Sequence, residues 1–152
     1  MNWDAFTGDT IYLDTNILIL AVEGGSVWSE SLREMFVCID DNAIHAFTSE
    51  LTFAEVLAKP LAVEATGLVK AYEELLAPTS VIRVVPIDRA ILASAAALQG
   101  KLAIKLMDAI HVATAVSSAC DFFFTGDTRL GQRIKDDIRW LPLDEVNGSG
   151  DD

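Results

Sequence analysis

The ten residues Ile11-Tyr12-Leu13-Asp14-Thr15-Asn16-Ile17-Leu18-Ile19-Leu20 constrain the fold more than any other stretch. Ile11, Tyr12 and Leu13 form a β-prone run that an acid cuts off abruptly. Thr15 and Asn16 are helix-starting residue types, and an apolar pattern resumes at Ile17. The stretch predicts a buried strand, a carboxylate at its C-terminal end, and a helix leaving from that point. Ligands bind at the carboxyl ends of strands in open α/β sheets, so Asp14 is a candidate site residue. The plainer reading is that Asp14, Thr15 or Asn16 only caps the helix, as all three residue types do.

The rest of the chain repeats strand-then-helix units. A helix is expected over residues 27–39, a strand over 43–47, and a helix opened by Thr48 and Ser49. Pro60 predicts a break and the first turn of another helix. Strands follow at residues 81–85, 121–125 and 138–141. Between them come a helix over residues 89–99, capped by Asp88 and closed by Gly100, and another over 106–118. Such alternation implies a mainly parallel sheet covered on both faces. The 152 residues, 51% of them hydrophobic, fit one domain over residues 1–146, followed by a polar tail at 147–152. Cys38 and Cys120 show neither metal-ligand nor redox spacing. With no signal-like start and no apolar run long enough for a bilayer, a cytoplasmic protein without membrane contact is expected.

Three more acids stand where Asp14 does, near strand ends or helix starts. Glu55 falls in the first half of the helix after the second strand, where Thr52-Phe53-Ala54-Glu55 also has capping-box spacing. Asp108 lies in the first turn of an otherwise apolar helix, where the dipole favours it but Ile110, Val112 and Ala113 crowd it. Asp127 follows Phe122 to Thr125 through Gly126 and so repeats the arrangement at Asp14. His111, one turn beyond Asp108, reads as a structural or supporting residue, since imidazole suits Mg²⁺ and Mn²⁺ less well than carboxylate and water. Clustered carboxylates stay ionised together only beside a cation, and Mg²⁺ or Mn²⁺ held by a few of them activates water and offsets phosphate charge. Asn16 and Thr125 would then orient acids or waters by hydrogen bonds.

These segments, YLDTNILI, TFAEVL, LMDAIHVATA and FFFTGDTRL, resemble a PIN domain, and most of all the VapC-type toxin ribonucleases. The resemblance runs from Tyr12 to about Leu143. It implies a three-layer α/β/α sandwich around a mainly parallel sheet of about five strands. It also implies Mg²⁺- or Mn²⁺-dependent cleavage of RNA, a cognate antitoxin as partner, and a homodimer. Carried over residue by residue, Asp14, Glu55, Asp108 and Asp127 match the catalytic, metal-binding acids, and Asn16 and Thr125 the supporting positions. Met107 stands where many relatives have proline.

The formal net charge of −12 argues against a broad basic face for a polyanion. RNA binding would then fall to a local rim, for which Lys101, Lys105, Arg129 and Arg133 are the candidates nearest the acids. Two other functions fit parts of the pattern. An acidic-pocket phosphatase of the haloacid dehalogenase type would want a second Asp where Asn16 stands. A protein-binding module that kept the fold without nuclease activity would not need four intact acids.

Overall fold

The computed structural model of the protein describes residues 2–146; the polar tail expected at residues 147–152 lies outside them. Five strands, β1 (Thr10–Leu13), β2 (His45–Ser49), β3 (Arg83–Val85), β4 (Phe122–Thr125) and β5 (Arg139–Pro142), form one sheet in the order β3-β2-β1-β4-β5. Every neighbouring pair is parallel. The connecting helices are α1 (Thr15–Glu23), α2 (Ser29–Asp40), α3 (Glu50–Ala62), α4 (Thr66–Leu75), α5 (Arg89–Leu102), α6 (Leu106–Ser117), α7 (Thr128–Ile134) and a last turn, α8 (Leu143–Val146).

Period-two alternation divides the sheet into two cores. Ile11 and Leu13 of β1 and Phe124 of β4 point to one face, packed with Ile17 and Leu18 of α1, Met35 of α2, Val56 of α3 and Tyr72 of α4. Tyr12 and Phe123 point to the other, packed with Ile91 of α5, Val112 and Ala115 of α6, and Leu130 and Ile134 of α7. The architecture is the expected α/β/α sandwich. Trp3, ahead of the first strand, is buried in the first core, 5.8 Å from the Phe124 ring. Among the described residues no single helix is long and apolar enough to cross a membrane.

The helix expected over residues 27–39 is Ser29–Asp40, Thr48 and Ser49 end β2, with Ser49 also the N-cap of α3, and two expected helix stops are overrun. Pro60 does not break its helix: α3 continues to Ala62 and buries the ring. So close to the C-terminal end, the missing N–H affects only the last turn. Gly100 likewise lies inside α5, which ends three residues later where Ala103 takes a left-handed conformation (φ 51°, ψ 47°). Arg133 of α7 donates to the Leu102 and Ala103 carbonyls at that end, at 3.1 and 3.0 Å. A contact thirty residues away, rather than the glycine, marks the stop.

Candidate active site

The chain runs outward from β1 to β2 and β3, then returns to pair β4 with the other side of β1. The C-terminal ends of β1 and β4 thus flank the crevice where the strand order reverses, the usual ligand position in such sheets. Asp14 follows β1 directly and is buried there at 6% exposure. Its backbone N–H continues the ladder to the Phe124 carbonyl at 3.0 Å. Its Oδ1 accepts from the Thr15 N–H at 2.9 Å, so it does cap α1. Its Oδ2 accepts from the Thr125 hydroxyl at 2.7 Å and the Asn16 amide at 3.2 Å. Capping and site roles are therefore compatible, one oxygen facing each.

Asn16 and Thr125 knit the two strand ends together. The Asn16 amide also donates to Thr125 Oγ1 at 3.1 Å, and its carbonyl accepts from the Gly126 N–H at 3.1 Å. Thr125 Oγ1 in turn accepts from the Asp127 N–H at 3.0 Å. Burial pushes the Asp14 carboxyl above the ordinary carboxylate range, and the Glu55 charge adds to it. The His111 charge and the hydrogen bonds of Thr125 and Thr15 oppose that rise without cancelling it.

Glu55 takes no part in a capping box. Ser49 is the N-cap of α3, and Thr52 sits inside the helix, buried. The Glu55 Oε1 instead accepts from the Thr15 hydroxyl at 3.0 Å and lies 2.5 Å from His111 Nε2. Those partners come from α1 and α6, helices on opposite faces that meet over the strand ends. Burial works to raise the Glu55 pKa, but the His111 hydrogen bond and charge, with the Thr15 bond, outweigh it and hold it below the ordinary value.

Asp108 occupies the first turn of α6, whose N-cap, Lys105, supplies no side-chain bond. Its carboxyl is raised by burial and by the charges of Asp14 and Asp127, against the pull of His111 and Lys105. Asp127 caps α7, accepting from the Leu130 N–H at 3.0 Å, and is otherwise exposed. Asp108 and Asp127 line a cleft of about 220 Å³ together with Lys105, Arg129 and Arg133. Asp14 and Glu55 are not part of its lining; Asp14 is coupled through charge to Asp108, and Glu55 to Asp14.

The four basic candidates separate. Lys105 and Arg129 line the cleft, and among the described residues neither makes a side-chain hydrogen bond. Arg133 lines it too, but its guanidinium is engaged at the end of α5. Lys101 is paired with Asp137 at 2.9 Å and does not reach the cleft.

The donor set suits a hard divalent cation: carboxylate oxygens, with Asp14 and Asp108 each raised by burial first and then by neighbouring negative charge. Among the described residues no three acid, histidine or cysteine side chains stand as a ready-made cage for a metal. An ion held by one or two of these carboxylates would need water or substrate phosphate to complete its shell.

Sequence reasoning missed Tyr12 and Thr15. The Tyr12 hydroxyl lies 2.6 Å from His111 Nδ1, and the Thr15 hydroxyl contacts both Glu55 and Thr52. The signal for Tyr12 was its place between Ile11 and Leu13, which turns it alone toward the face of α6.

Residues 11–135 match the model of the PIN domain family. No curated protein sequence matches the chain. Among solved structures the fold is similar to a toxin-antitoxin complex from Klebsiella pneumoniae (20% identity, 88% of this chain and 97% of that one, TM-score 0.66). It is also similar to VapBC2 from Rickettsia felis bound to a promoter DNA fragment (12%, 88% and 98%, 0.66). A third is FitAcB from Neisseria gonorrhoeae (20%, 88% and 97%, 0.65).

Proposed function

Because the chain belongs to the PIN domain family, we propose that it is a Mg²⁺- or Mn²⁺-dependent endoribonuclease and the toxin of a toxin–antitoxin pair. The observation that carries this reading is the junction of β1 and β4. Asp14, Asp108 and Asp127 are coupled there beside a cleft that also holds two cations without hydrogen-bond partners among the described residues.

Asp14 and Asp108 would hold the metal, with Asp127 and Glu55 completing the acidic cluster. When bound, the ion supplies an activated water and offsets charge on the scissile phosphate. Thr125 and Asn16 keep Asp14 turned toward the cluster, through the hydrogen bonds to its Oδ2. Lys105 and Arg129 would take the phosphates flanking the cleaved bond. With so few cations on a chain of net charge −12, selectivity would come from RNA shape or exposed bases rather than a long basic track. The Asn16 amide makes hydrogen bonds where a haloacid dehalogenase-type phosphatase would need an acid, which disfavours that reaction. Four intact acids favour an enzyme over a binding module. The similar structure from Klebsiella pneumoniae is a toxin-antitoxin complex, which supports an antitoxin partner; a homodimer accompanies this reading.

The test is incubation of the purified protein with end-labelled single-stranded RNA, with Mn²⁺, with Mg²⁺, and with EDTA. Internal cleavage with either ion, abolished by EDTA and restored by excess metal, is expected. RNA that stays intact while calorimetry shows Mn²⁺ bound overturns the nuclease assignment.

A further inference from the structure

Tyr12 and His111 are both buried, at 0% and 1% exposure, Tyr12 within the second, apolar core and near the buried hydroxyls of Thr48 and Ser49. The Tyr12 ring stacks on Phe123 at 5.1 Å and meets the His111 ring edge-on at 5.8 Å. Its hydroxyl lies 2.6 Å from His111 Nδ1, and His111 Nε2 lies 2.5 Å from Glu55 Oε1. A carboxylate only accepts, so the Nε2–H donates to Glu55, while Nδ1 pairs with the Tyr12 hydroxyl, which can donate or accept. Glu55 thus fixes the proton on Nε2, and the Tyr12 hydroxyl holds the ring by its other nitrogen.

A packing role alone does not explain this pair. Buried polar groups are costly unless all are satisfied, whereas replacing two hydrogen-bonded partners by apolar groups of the same shape is close to neutral. Phenylalanine and leucine would fill the same space. What the polar pair adds is a grip on Glu55, reached from beneath the sheet edge. The Thr15 hydroxyl holds the same oxygen, Oε1, from α1 at 3.0 Å. Among the described residues no hydrogen bond engages Oε2.

We propose that Tyr12 and His111 are positioning residues, which with Thr15 hold Glu55 by Oε1 so that Oε2 alone is presented to the acidic cluster. The four acids then divide in two. Asp14, Asp108 and Asp127 share their charge around the cleft, while Glu55 is oriented by a hydrogen-bond chain running back through the sheet. The consequence for turnover rests on the nuclease reading above; the orientation of Glu55 does not.

The experiment compares the wild type with the double variant Tyr12→Phe/His111→Leu, which removes both members of the Tyr12–His111 hydrogen bond together, and with His111→Gln, whose amide nitrogen takes the place of Nε2. Crystal structures report the Glu55 rotamer, and Mn²⁺-dependent RNA cleavage reports kcat and KM. The double variant is expected to keep the thermal stability of the wild type, release Glu55 from its rotamer and lower kcat by about 10- to 100-fold, with KM for RNA unchanged. His111→Gln is expected to hold Glu55 in place and recover most of kcat. An unmoved Glu55 in the double variant, or a His111→Gln protein as impaired as the double variant, overturns the proposal. If the wild type cleaves no RNA, the nuclease reading fails by itself, and the Glu55 rotamer in the double variant decides the positioning claim.

Discussion

The ends of β1 and β4 carry the same local pattern, an apolar strand, an acid that caps the next helix and a hydroxyl residue beside it, yet they make different surroundings. Asp14 follows its strand without a spacer and is buried under hydrogen bonds from Thr15, Thr125 and Asn16. Asp127 stands beyond Gly126, where the chain has already left the sheet, and among the described residues its carboxylate accepts only from the Leu130 N–H. One glycine of offset separates a buried acid whose orientation the protein sets from one open to solvent. A helix cap is thus no argument against a site, since it occupies one oxygen in both cases.

The comparison breaks most sharply at Asp14. Asp14→Asn keeps the side chain's size while removing its charge, and cleavage should fall by more than ~100-fold, beyond what loss of a supporting group costs. Asp127→Asn should cost less, because asparagine caps α7 equally well and the Asp127 carboxylate is the more loosely directed of the two. Rates measured under saturating Mn²⁺ check both; equal losses would erase the distinction between the two strand ends.

Thr125 joins the two ends, donating to Asp14 and accepting from the Asp127 N–H. Thr125→Val preserves shape, leaves the Asp127 N–H and Asp14 Oδ2 each short of a partner, and should cost roughly 10- to 100-fold in kcat. It should also cost about 1–3 kcal/mol in urea unfolding. A stability loss with unchanged turnover would show that the link is structural only.

Much of the first strand end was legible and much of its support was not. The sequence Tyr12-Leu13-Asp14-Thr15-Asn16 announces a strand, an acid and a helix because both the β-prone run and the cap residues are local signals. Asp127 was legible for the same reason. Glu55 was ambiguous, since Thr52-Phe53-Ala54-Glu55 has the spacing of a capping box; the ambiguity dissolves only when α3 is seen to start at Glu50. Pro60 and Gly100 misled because their local preferences are weak against a buried helix face and against the Arg133 contact at the end of α5. The Tyr12–His111–Glu55 chain joins residues 56 and 99 positions apart, which no spacing rule reports.

A smaller effect is expected at the cleft. Lys105→Ala with Arg129→Ala should raise KM for RNA several-fold and leave Mn²⁺ affinity unchanged. Two fewer phosphate contacts should flatten the log–log salt dependence by up to roughly 1.4 on single strands, at about 0.7 per contact. A slope unchanged by the double substitution would place the RNA on another face.

Smallest is the pH dependence of the metal-free protein. Asp14 and Asp108 are raised on folding, so the native state binds more protons than the unfolded one above the ordinary carboxylate range. Their contribution to stability is present at low pH and is lost as pH rises through the raised values. Glu55 has the opposite sign: its contribution is present above the ordinary value and is lost as pH falls through the lowered one. These three groups together favour greatest stability near the ordinary carboxylate range, and Mn²⁺ should flatten the alkaline side. Urea midpoints across pH, with and without metal, check both limbs; a metal-free midpoint that rises steadily with pH contradicts the coupling at Asp14 and Asp108.

The central claim is that the acids between β1 and β4 hold a divalent ion. Anomalous diffraction at the manganese edge from crystals soaked in Mn²⁺ tests it most directly. The account predicts a peak bounded by Asp14, Asp108 and Asp127 that is absent from Asp14→Asn crystals. A peak elsewhere, or none at this site in crystals of a protein that cleaves RNA at the same Mn²⁺ concentration, would contradict it.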